Sequence, residues 1–378
     1  MSSFTLKTQK QLARRGTLET KHGIIQTPFF MPIATKGSVK SLSSSDMREL
    51  GAQIILSNTY HLLLRPGLEQ MTLLGGLHTF MGWQGPLLTD SGGYQVFSLS
   101  KINKTTEEGV TFQSHIDGAR IHLTPELSMQ MQAAIGSDIV MQFDDVAAGN
   151  SSRERYEEAM ERSLRWAQRS KKEFEHIHES KIPPLLFGIV QGGTHKDLRE
   201  RSARGLMDIG FDGYAIGGLS VGEDRTDAYR IAKRVCEILP QDKPRYFMGG
   251  GMPEEIAAYV QMGVDMFDCV LPTRNARHGT LFIWNKSPET IDWSLYQDPH
   301  PTTLFYDRLR ITNENYQQDQ TPLDPYCSCS TCKTTSRAYL RYLFSVQELL
   351  AYRLATIHNL HFYLTLMQSL RNWIQTAA

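Results

Sequence analysis

Residues Ile139-Val140-Met141-Gln142-Phe143-Asp144 decide the fold: a short, β-prone apolar run closes on a carboxylate. Continuous apolar runs of this length suit strands of a parallel sheet buried on both faces, where neither side of the strand meets water. The pattern recurs in both directions. Upstream lie Gln53-Ile54-Ile55-Leu56 and Pro86-Leu87-Leu88-Thr89; downstream lie Leu185 to Val190, Tyr214-Ala215-Ile216, Arg245 to Met248 and Val264 to Phe267. Helical patterns fill the gaps. Thr124-Pro125-Glu126 supplies an N-cap, a proline at the first helical position and an acidic first turn, and the helix over Leu127 to Ile135 stops at Gly136. A longer helix is predicted from Ser151-Ser152 toward Glu179, and another opens at Pro253-Glu254-Glu255 and ends near Gly263. Alternating β and α elements predict an α/β fold.

The residues at the end of each run narrow the class. Asn58, Asp90, Asp144, Gln191, Gly217-Gly218, Gly249-Gly250-Gly251 and Asp268 stand just after successive strands. A TIM barrel assembles one site from such strand C-termini. Strands also end in turns, and turns are polar, so a doubly wound open sheet is the competing architecture. The rhythm favours a TIM (β/α)8 barrel. Phe4 to Phe30 carries short β-like pieces around Gly16 and Gly23, predicting an N-terminal β-hairpin that caps the barrel floor. Beyond about residue 280 the rhythm stops. Phe282-Ile283-Trp284 reads as a strand, then come loops, a cysteine cluster and two amphipathic helical patterns, Ser336 to Ala355 and Ile357 to Ile374. The expected organisation is a single catalytic barrel domain over 1–378, with a metal-binding subdomain at about 282–360 and a C-terminal helix.

Composition sets outer limits. The 378 residues are 40% hydrophobic and 21% charged, enough for a sizeable core and unlike a disordered chain. Lys plus Arg equals Asp plus Glu at 40 each, so any nucleic-acid site is a local basic patch on a neutral protein. The N-terminus MSSFTLKTQKQLARRG has no apolar signal segment and no run of 18 apolar residues occurs, which predicts no membrane span. Five cysteines without a secretory signal predict a cytoplasmic protein.

Three of those cysteines, Cys327, Cys329 and Cys332, form C-x-C-x2-C, with His358 and His361 further on in a helical pattern. Three thiolates on one tight loop and one imidazole from a distant helix satisfy tetrahedral zinc. A closed set of four leaves no place for water, which predicts one structural Zn2+ per chain. A disulfide between Cys327 and Cys329 would be strained. The two histidines are three apart and share a helix face, so spacing leaves the fourth ligand open.

Three aspartates, Asp90, Asp144 and Asp268, stand at predicted strand ends. Breaking a bond between a sugar and a base calls for one carboxylate to attack the anomeric carbon and another to manage protons or hold the base. Here the ordered motifs are similar to those of one family. They are Thr27-Pro28-Phe29-Phe30-Met31-Pro32-Ile33-Ala34-Thr35, Asn58-Thr59-Tyr60-His61-Leu62 and Thr89-Asp90-Ser91-Gly92-Gly93-Tyr94-Gln95-Val96-Phe97-Ser98. They continue with Gly188-Ile189-Val190-Gln191-Gly192-Gly193, Ala215-Ile216-Gly217-Gly218-Leu219-Ser220-Val221-Gly222-Glu223, Met266-Phe267-Asp268-Cys269-Val270-Leu271-Pro272-Thr273-Arg274 and the cysteine cluster. From about Arg14 to the C-terminus the chain resembles the tRNA-guanine transglycosylases (queuine tRNA-ribosyltransferases) of the bacterial single-chain type.

The resemblance implies an irregular TIM (β/α)8 barrel with a zinc subdomain, and exchange of guanine for a 7-deazaguanine base at the wobble position of tRNAs with G-U-N anticodons. It implies Asp268 as the nucleophile and Asp90 as general acid/base. Ser91, Gly92, Gly93 and Tyr94 shape the pocket, while Asp144, Gln191 and Gly218 bind the pyrimidine edge of the base. It makes His358 the fourth zinc ligand and implies a homodimer paired through the zinc subdomain. Thr273, Arg274, Asn275, Ala276 and Arg277 come just after the nucleophile and are suited to phosphates and splayed anticodon bases of the tRNA. Gly249, Gly250, Gly251, Met252, Pro253, Glu254 and Glu255 offer backbone N–H groups at a helix start, a second expected phosphate site.

The chain departs from the bacterial pattern at two places. After Asp144 comes Asp145-Val146-Ala147-Ala148-Gly149, similar to the eukaryotic catalytic subunit, which accepts queuine; Val221 instead matches the bacterial form. The incoming base is therefore 7-aminomethyl-7-deazaguanine or queuine, with the former preferred, because one side-chain volume can decide such selectivity. Thr334-Thr335 stands where bacterial relatives often carry an interface tryptophan, leaving Tyr339 and Tyr342 as interface aromatics. Competing readings are a non-catalytic tRNA-binding subunit, which the presence of both Asp90 and Asp268 opposes, and a zinc hydrolase, which would need an open metal site on the barrel.

Overall fold

The computed structural model describes residues 3–99, 103–179, 183–219, 222–298 and 300–376. The chain opens with three antiparallel strands, β1 (Phe4–Lys10), β2 (Ala13–Thr20) and β3 (Gly23–Thr27), in the order β1-β2-β3. The expected hairpin is thus a three-stranded sheet. The last piece of that region, β4 (Phe29–Met31), leaves it and becomes a barrel strand. Next come β5 (Ile55–Ser57), β6 (Leu87–Thr89), a small antiparallel sheet of β7 (Asn103–Thr105), β8 (Val110–Gln113) and β9 (Arg120–Leu123), and then β10 (Ile139–Met141), β11 (Leu185–Val190), β12 (Gly213–Ile216), β13 (Arg245–Phe247) and β14 (Met266–Asp268). Eight parallel strands run in the order β4-β14-β13-β12-β11-β10-β6-β5. The seam between the two end strands is closed just beyond β4, where Leu56 N–H donates to the Pro32 carbonyl (3.0 Å) and Ile33 bridges Leu56 in parallel.

Strand periodicity explains where each side chain goes. Phe187 and Ile189 on β11 point into the barrel, while Leu186 and Val190 face the surrounding helices. On β10, Ile139 and Met141 point in and Val140 out; on β14, Met266 points in and Phe267 out. The interior is packed by these residues with Leu88, Ala215 and Tyr246, as expected of a barrel core. Phe4, Leu18 and Ile25 of the N-terminal sheet belong to the same cluster, so that sheet plugs the floor. Buried Arg14 also pairs with Asp265 at 3.1 Å. Counting by twos from Leu88 and Met266 puts Asp90 and Asp268 on the inward register at the open end.

The predicted helices form at Pro125–Ile135, with Thr124 as N-cap and Gly136 as C-cap, at Arg153–Ile177, with Ser152 as N-cap, and at Pro253–Gln261. After β14, strands β15 (Thr280–Trp284) and β16 (Tyr306–Arg310) pair antiparallel. The two C-terminal helices are Arg337–Ser345 and the 27-residue Leu349–Gln375. The expected break near residue 356 instead falls at 346–348, where Gln347 takes a left-handed φ of 58°. No helix among the described residues is long and apolar enough to cross a membrane.

Candidate active site

Asp90 leaves β6 into the barrel mouth and is buried. Its Oδ2 accepts from the Asn58 amide (2.5 Å) and its Oδ1 from Thr59 N–H (2.8 Å). Asn58 is the N-cap of the helix Thr59–Leu64 yet makes no capping bond with its side chain, which turns to the carboxylate instead. Burial pushes the Asp90 carboxyl up to about 6, with the charge on Asp268 adding to the rise and the donors from Asn58, Thr59 and Gln95 opposing it.

Asp268 ends β14. Its Oδ1 accepts from the Tyr246 hydroxyl (2.6 Å) and from Gly249 N–H (2.9 Å), while Oδ2 takes no bond among the described residues. Tyr246 stands opposite Met266 in the sheet register and points into the barrel, so its hydroxyl reaches the next inward position, Asp268. Burial raises the Asp268 carboxyl above the usual range, with those two donors opposing.

Asp144 lies beyond β10. Its Oδ1 accepts from Ser91 Oγ (3.0 Å) and its Oδ2 from Gln191 Nε2 (2.7 Å). Burial raises it to about 6, helped by the charges of Asp145 and Asp90. Its neighbour Asp145 faces elsewhere, accepting from Arg155 (2.9 and 2.6 Å) and Arg162 (2.5 Å). Of the two adjacent aspartates, only Asp144 bonds to Ser91 and Gln191. Gly93 opens the helix Gly93–Leu99, where a Cβ would lie 2.6 Å from the Asp144 carbonyl. Gly218 has φ +60° and a Cβ there would sit 2.3 Å from Gln191 Oε1. Both positions therefore demand glycine. Ser91 and Gly92 are buried and Tyr94 is exposed at the mouth. A cavity of about 400 Å³, lined in part by Gly93, Asp144, Asp145, Val146 and Arg155, adjoins this group. Val221 lies outside the described residues.

The expected RNA segments divide. Arg274 and Arg277 are exposed and Asn275 half-buried, whereas Thr273 and Ala276 are buried under them in the helix Leu271–Arg277. In the Gly249-to-Glu255 segment, Gly249 spends its N–H on Asp268 and Met252 N–H donates to Glu255 (3.1 Å). Gly250, Gly251 and Pro253 are buried. Glu254 accepts from Tyr306 (2.7 Å), and Arg225 pairs with Glu255 (2.8 Å). This loop packs toward Asp268 more than it faces outward, and Glu255 caps the helix N-terminus expected to hold a phosphate.

Cys327, Cys329, Cys332 and His358 bring their ligand atoms within 4.8 Å of one another, a set that could hold a metal ion. His358 Nε2 donates to the Phe282 carbonyl (2.7 Å), which leaves Nδ1 aimed at Cys332 Sγ (3.3 Å) and Cys329 Sγ (3.9 Å). A backbone acceptor on the far nitrogen is how proteins fix the tautomer of a ligating histidine. His361 stands outside the set, with Nδ1 near Cys327 Sγ (3.4 Å) and Thr365 and Nε2 near Ser328.

Thr59 and Tyr246 belong to the site but not to the strand-end pattern, and Asn58, which that pattern does contain, receives no chemical role from it. The signal for Asn58 is its N-cap position beside a strand end. Tyr246, inside a strand, leaves no such signal.

A parallel barrel with three buried carboxylates at its C-terminal mouth, and a cysteine–histidine cluster set apart from them, suits a glycosyl-transferring enzyme. The family model described as TGT, queuine tRNA-ribosyltransferase, matches residues 9–377. The chain is 50% identical over 375 residues to the queuine tRNA-ribosyltransferase of Neisseria gonorrhoeae, covering 99% of this chain and 95% of the relative. It is 49% identical over 375 residues to that of Chromobacterium violaceum (99% and 95%) and 48% identical over 371 residues to that of Vibrio vulnificus (98% and 92%). The chain belongs to the queuine tRNA-ribosyltransferase family, and is thus a glycosyltransferase of the pentosyl-transferring kind.

Proposed function

We propose that the protein exchanges guanine for a 7-deazaguanine base at the wobble position of tRNAs with G-U-N anticodons, through a covalent RNA–Asp268 intermediate. The observation that carries this is the asymmetry of Asp268. Two donors hold Oδ1 and none among the described residues holds Oδ2, so a fixed carboxylate presents one free oxygen. Oδ2 attacks the ribose C1′, the C1′–N9 bond breaks, and guanine departs with the electron pair while Asp90 delivers a proton to the heterocycle. The incoming base gives its N9 proton back to Asp90, N9 attacks C1′, and the ester to Asp268 is released. A carboxyl near 6 is suited to both directions of that proton transfer at neutral pH. Asp144 accepts from the ring N–H and amino group, and the Gln191 amide and Gly218 N–H serve the base carbonyl. Arg274, Asn275 and Arg277 bind the anticodon backbone and bases beside the reacting ribose.

The cysteine–histidine set holds one structural Zn2+ through Cys327, Cys329, Cys332 and His358; four protein ligands leave the ion to stabilise the fold. Two copies pair through this region. The supporting feature is an exposed apolar group of Tyr339, Tyr342, Val346 and Leu349, the last 78% exposed. The protein works in the cytoplasm. The incoming base is 7-aminomethyl-7-deazaguanine or queuine, the former favoured by Val221.

Mass spectrometry of a G-U-N tRNA incubated with enzyme and either candidate base tests the reading. Replacement of the wobble guanine by wild type, and none by Asp268→Ala, is expected. Folded, zinc-loaded wild type that leaves the wobble guanine in place refutes the assignment and favours a tRNA-binding subunit.

A further inference from the structure

Arg199 is 0% exposed, in the helix Lys196–Ile209 behind the pocket. Burial lowers its pKa to about 9, so the side chain remains a cation at neutral pH. Its hydrogen bonds go to main-chain carbonyls: Nε to Gly193 (2.7 Å), Nη1 to Val190 (2.7 Å) and Gly217 (2.6 Å), and Nη2 to Gly218 (3.3 Å). These carbonyls belong to the two loops at the ends of β11 and β12. One loop carries Gln191 and the other carries Gly218, the two groups assigned to the carbonyl of the base.

In a trans peptide the C=O of one residue and the N–H of the next are antiparallel in one plane. The Gly217 carbonyl and the Gly218 N–H share a peptide unit, as do the Gly218 carbonyl and the Leu219 N–H. Drawing both carbonyls onto the guanidinium turns both N–H groups to the opposite side. Gly218 permits this with φ +60°, a value open to few other residues. Successive N–H groups turned one way form a nest for a partly negative oxygen. A guanidinium on the carbonyl end also polarises each peptide, which strengthens its N–H as a donor.

We propose that Arg199 is a positioning residue for base recognition, holding the Gly217–Gly218 and Gly218–Leu219 peptides so that the N–H groups of Gly218 and Leu219 face the base carbonyl and stabilise the negative charge gathering there as the base leaves. This rests on the transglycosylase reading. Lysine cannot replace it fully, because one ammonium does not reach four carbonyls on two loops.

Wild type, Arg199→Gln and Arg199→Lys are compared in radiolabelled-guanine exchange into a G-U-N tRNA, with circular dichroism and metal content as checks on folding. For Arg199→Gln the KM for guanine rises at least about tenfold while the KM for tRNA stays within about twofold, as expected for a base-side contact alone. The preference for guanine over 6-thioguanine, which keeps both donors of the base and alters only the acceptor, falls at least about threefold. Arg199→Lys lies between wild type and Arg199→Gln and carries the test if Arg199→Gln does not fold. Equal rises in both KM values, or an unchanged guanine preference in a folded variant, overturn the inference while leaving the function standing. Wild type that exchanges no guanine overturns the function and this inference together.

Discussion

Asn58→Ala tests the proton-transfer role proposed for Asp90. Asn58 donates to Asp90 Oδ2 at 2.5 Å, and a donor to a carboxylate stabilises the ionised form. A hydrogen bond to a charged group contributes about 1.5–3 kcal/mol, and about 1.4 kcal/mol corresponds to one pH unit. Losing it should therefore raise the Asp90 midpoint from about 6 by roughly one to two pH units. Helix Thr59–Leu64 should survive, because the Asn58 side chain makes no capping bond, and Thr59 N–H still holds Oδ1. In the proposed mechanism the relevant step is return of base to the covalent intermediate, which needs Asp90 ionised. The assay forms the intermediate, removes free guanine, adds base and tracks its incorporation by rapid quench across pH 5 to 9. Wild type should lose rate as pH falls through about 6. The variant should lose it through a midpoint one to two pH units higher, a slowing of roughly tenfold near pH 6.5 with recovery at alkaline pH. An unmoved midpoint, or one displaced to lower pH, would refute the assignment of Asp90 as the proton carrier.

Other perturbations probe the remaining groups. Asp90 has a raised folded-state pKa, so its contribution to stability is full below its unfolded value and is lost as pH rises through about 6; Asp90→Asn should gain about 1–3 kcal/mol at pH 8 and almost nothing near pH 3, read as Tm across pH, with exchange abolished. His358→Ala should lose the bound zinc by elemental analysis and lower Tm, while His361→Ala keeps one ion per chain; the reverse pattern would reassign the fourth ligand. Arg274→Ala and Arg277→Ala should each raise the KM for tRNA about tenfold, reduce the salt slope of binding by about one, and leave the KM for base unchanged.

The barrel was legible because its strands are short, doubly buried runs closed by polar residues, a pattern that survives without knowledge of contacts. β4 was not, since Phe29–Met31 comes directly after three other β segments and only its pairing with β14, and the Ile33 bridge to β5 just beyond it, separate it from the cap. The sheet over Asn103–Leu123 was hidden because its strands, such as Arg120–Leu123, are short and polar. In the site, Asp90, Asp144 and Asp268 could be picked out by position. The inward turn of Glu254 and Glu255 could not, since it depends on Tyr306 and Arg225, which come from distant segments. Arg199 is an ordinary helix arginine in the sequence, and only the meeting of two loops at its guanidinium gives it a role.

The covalent step on Asp268 is central to the proposed exchange. Enzyme is incubated with a G-U-N tRNA without free base, quenched in acid, digested with nuclease and protease, and mapped by mass spectrometry. A ribose ester on Asp268 within the Met266–Arg274 stretch is predicted, absent from Asp268→Asn and discharged by added base. A wild-type enzyme that exchanges base without this adduct, or that carries the ribose on Asp90 instead, would contradict the proposed mechanism.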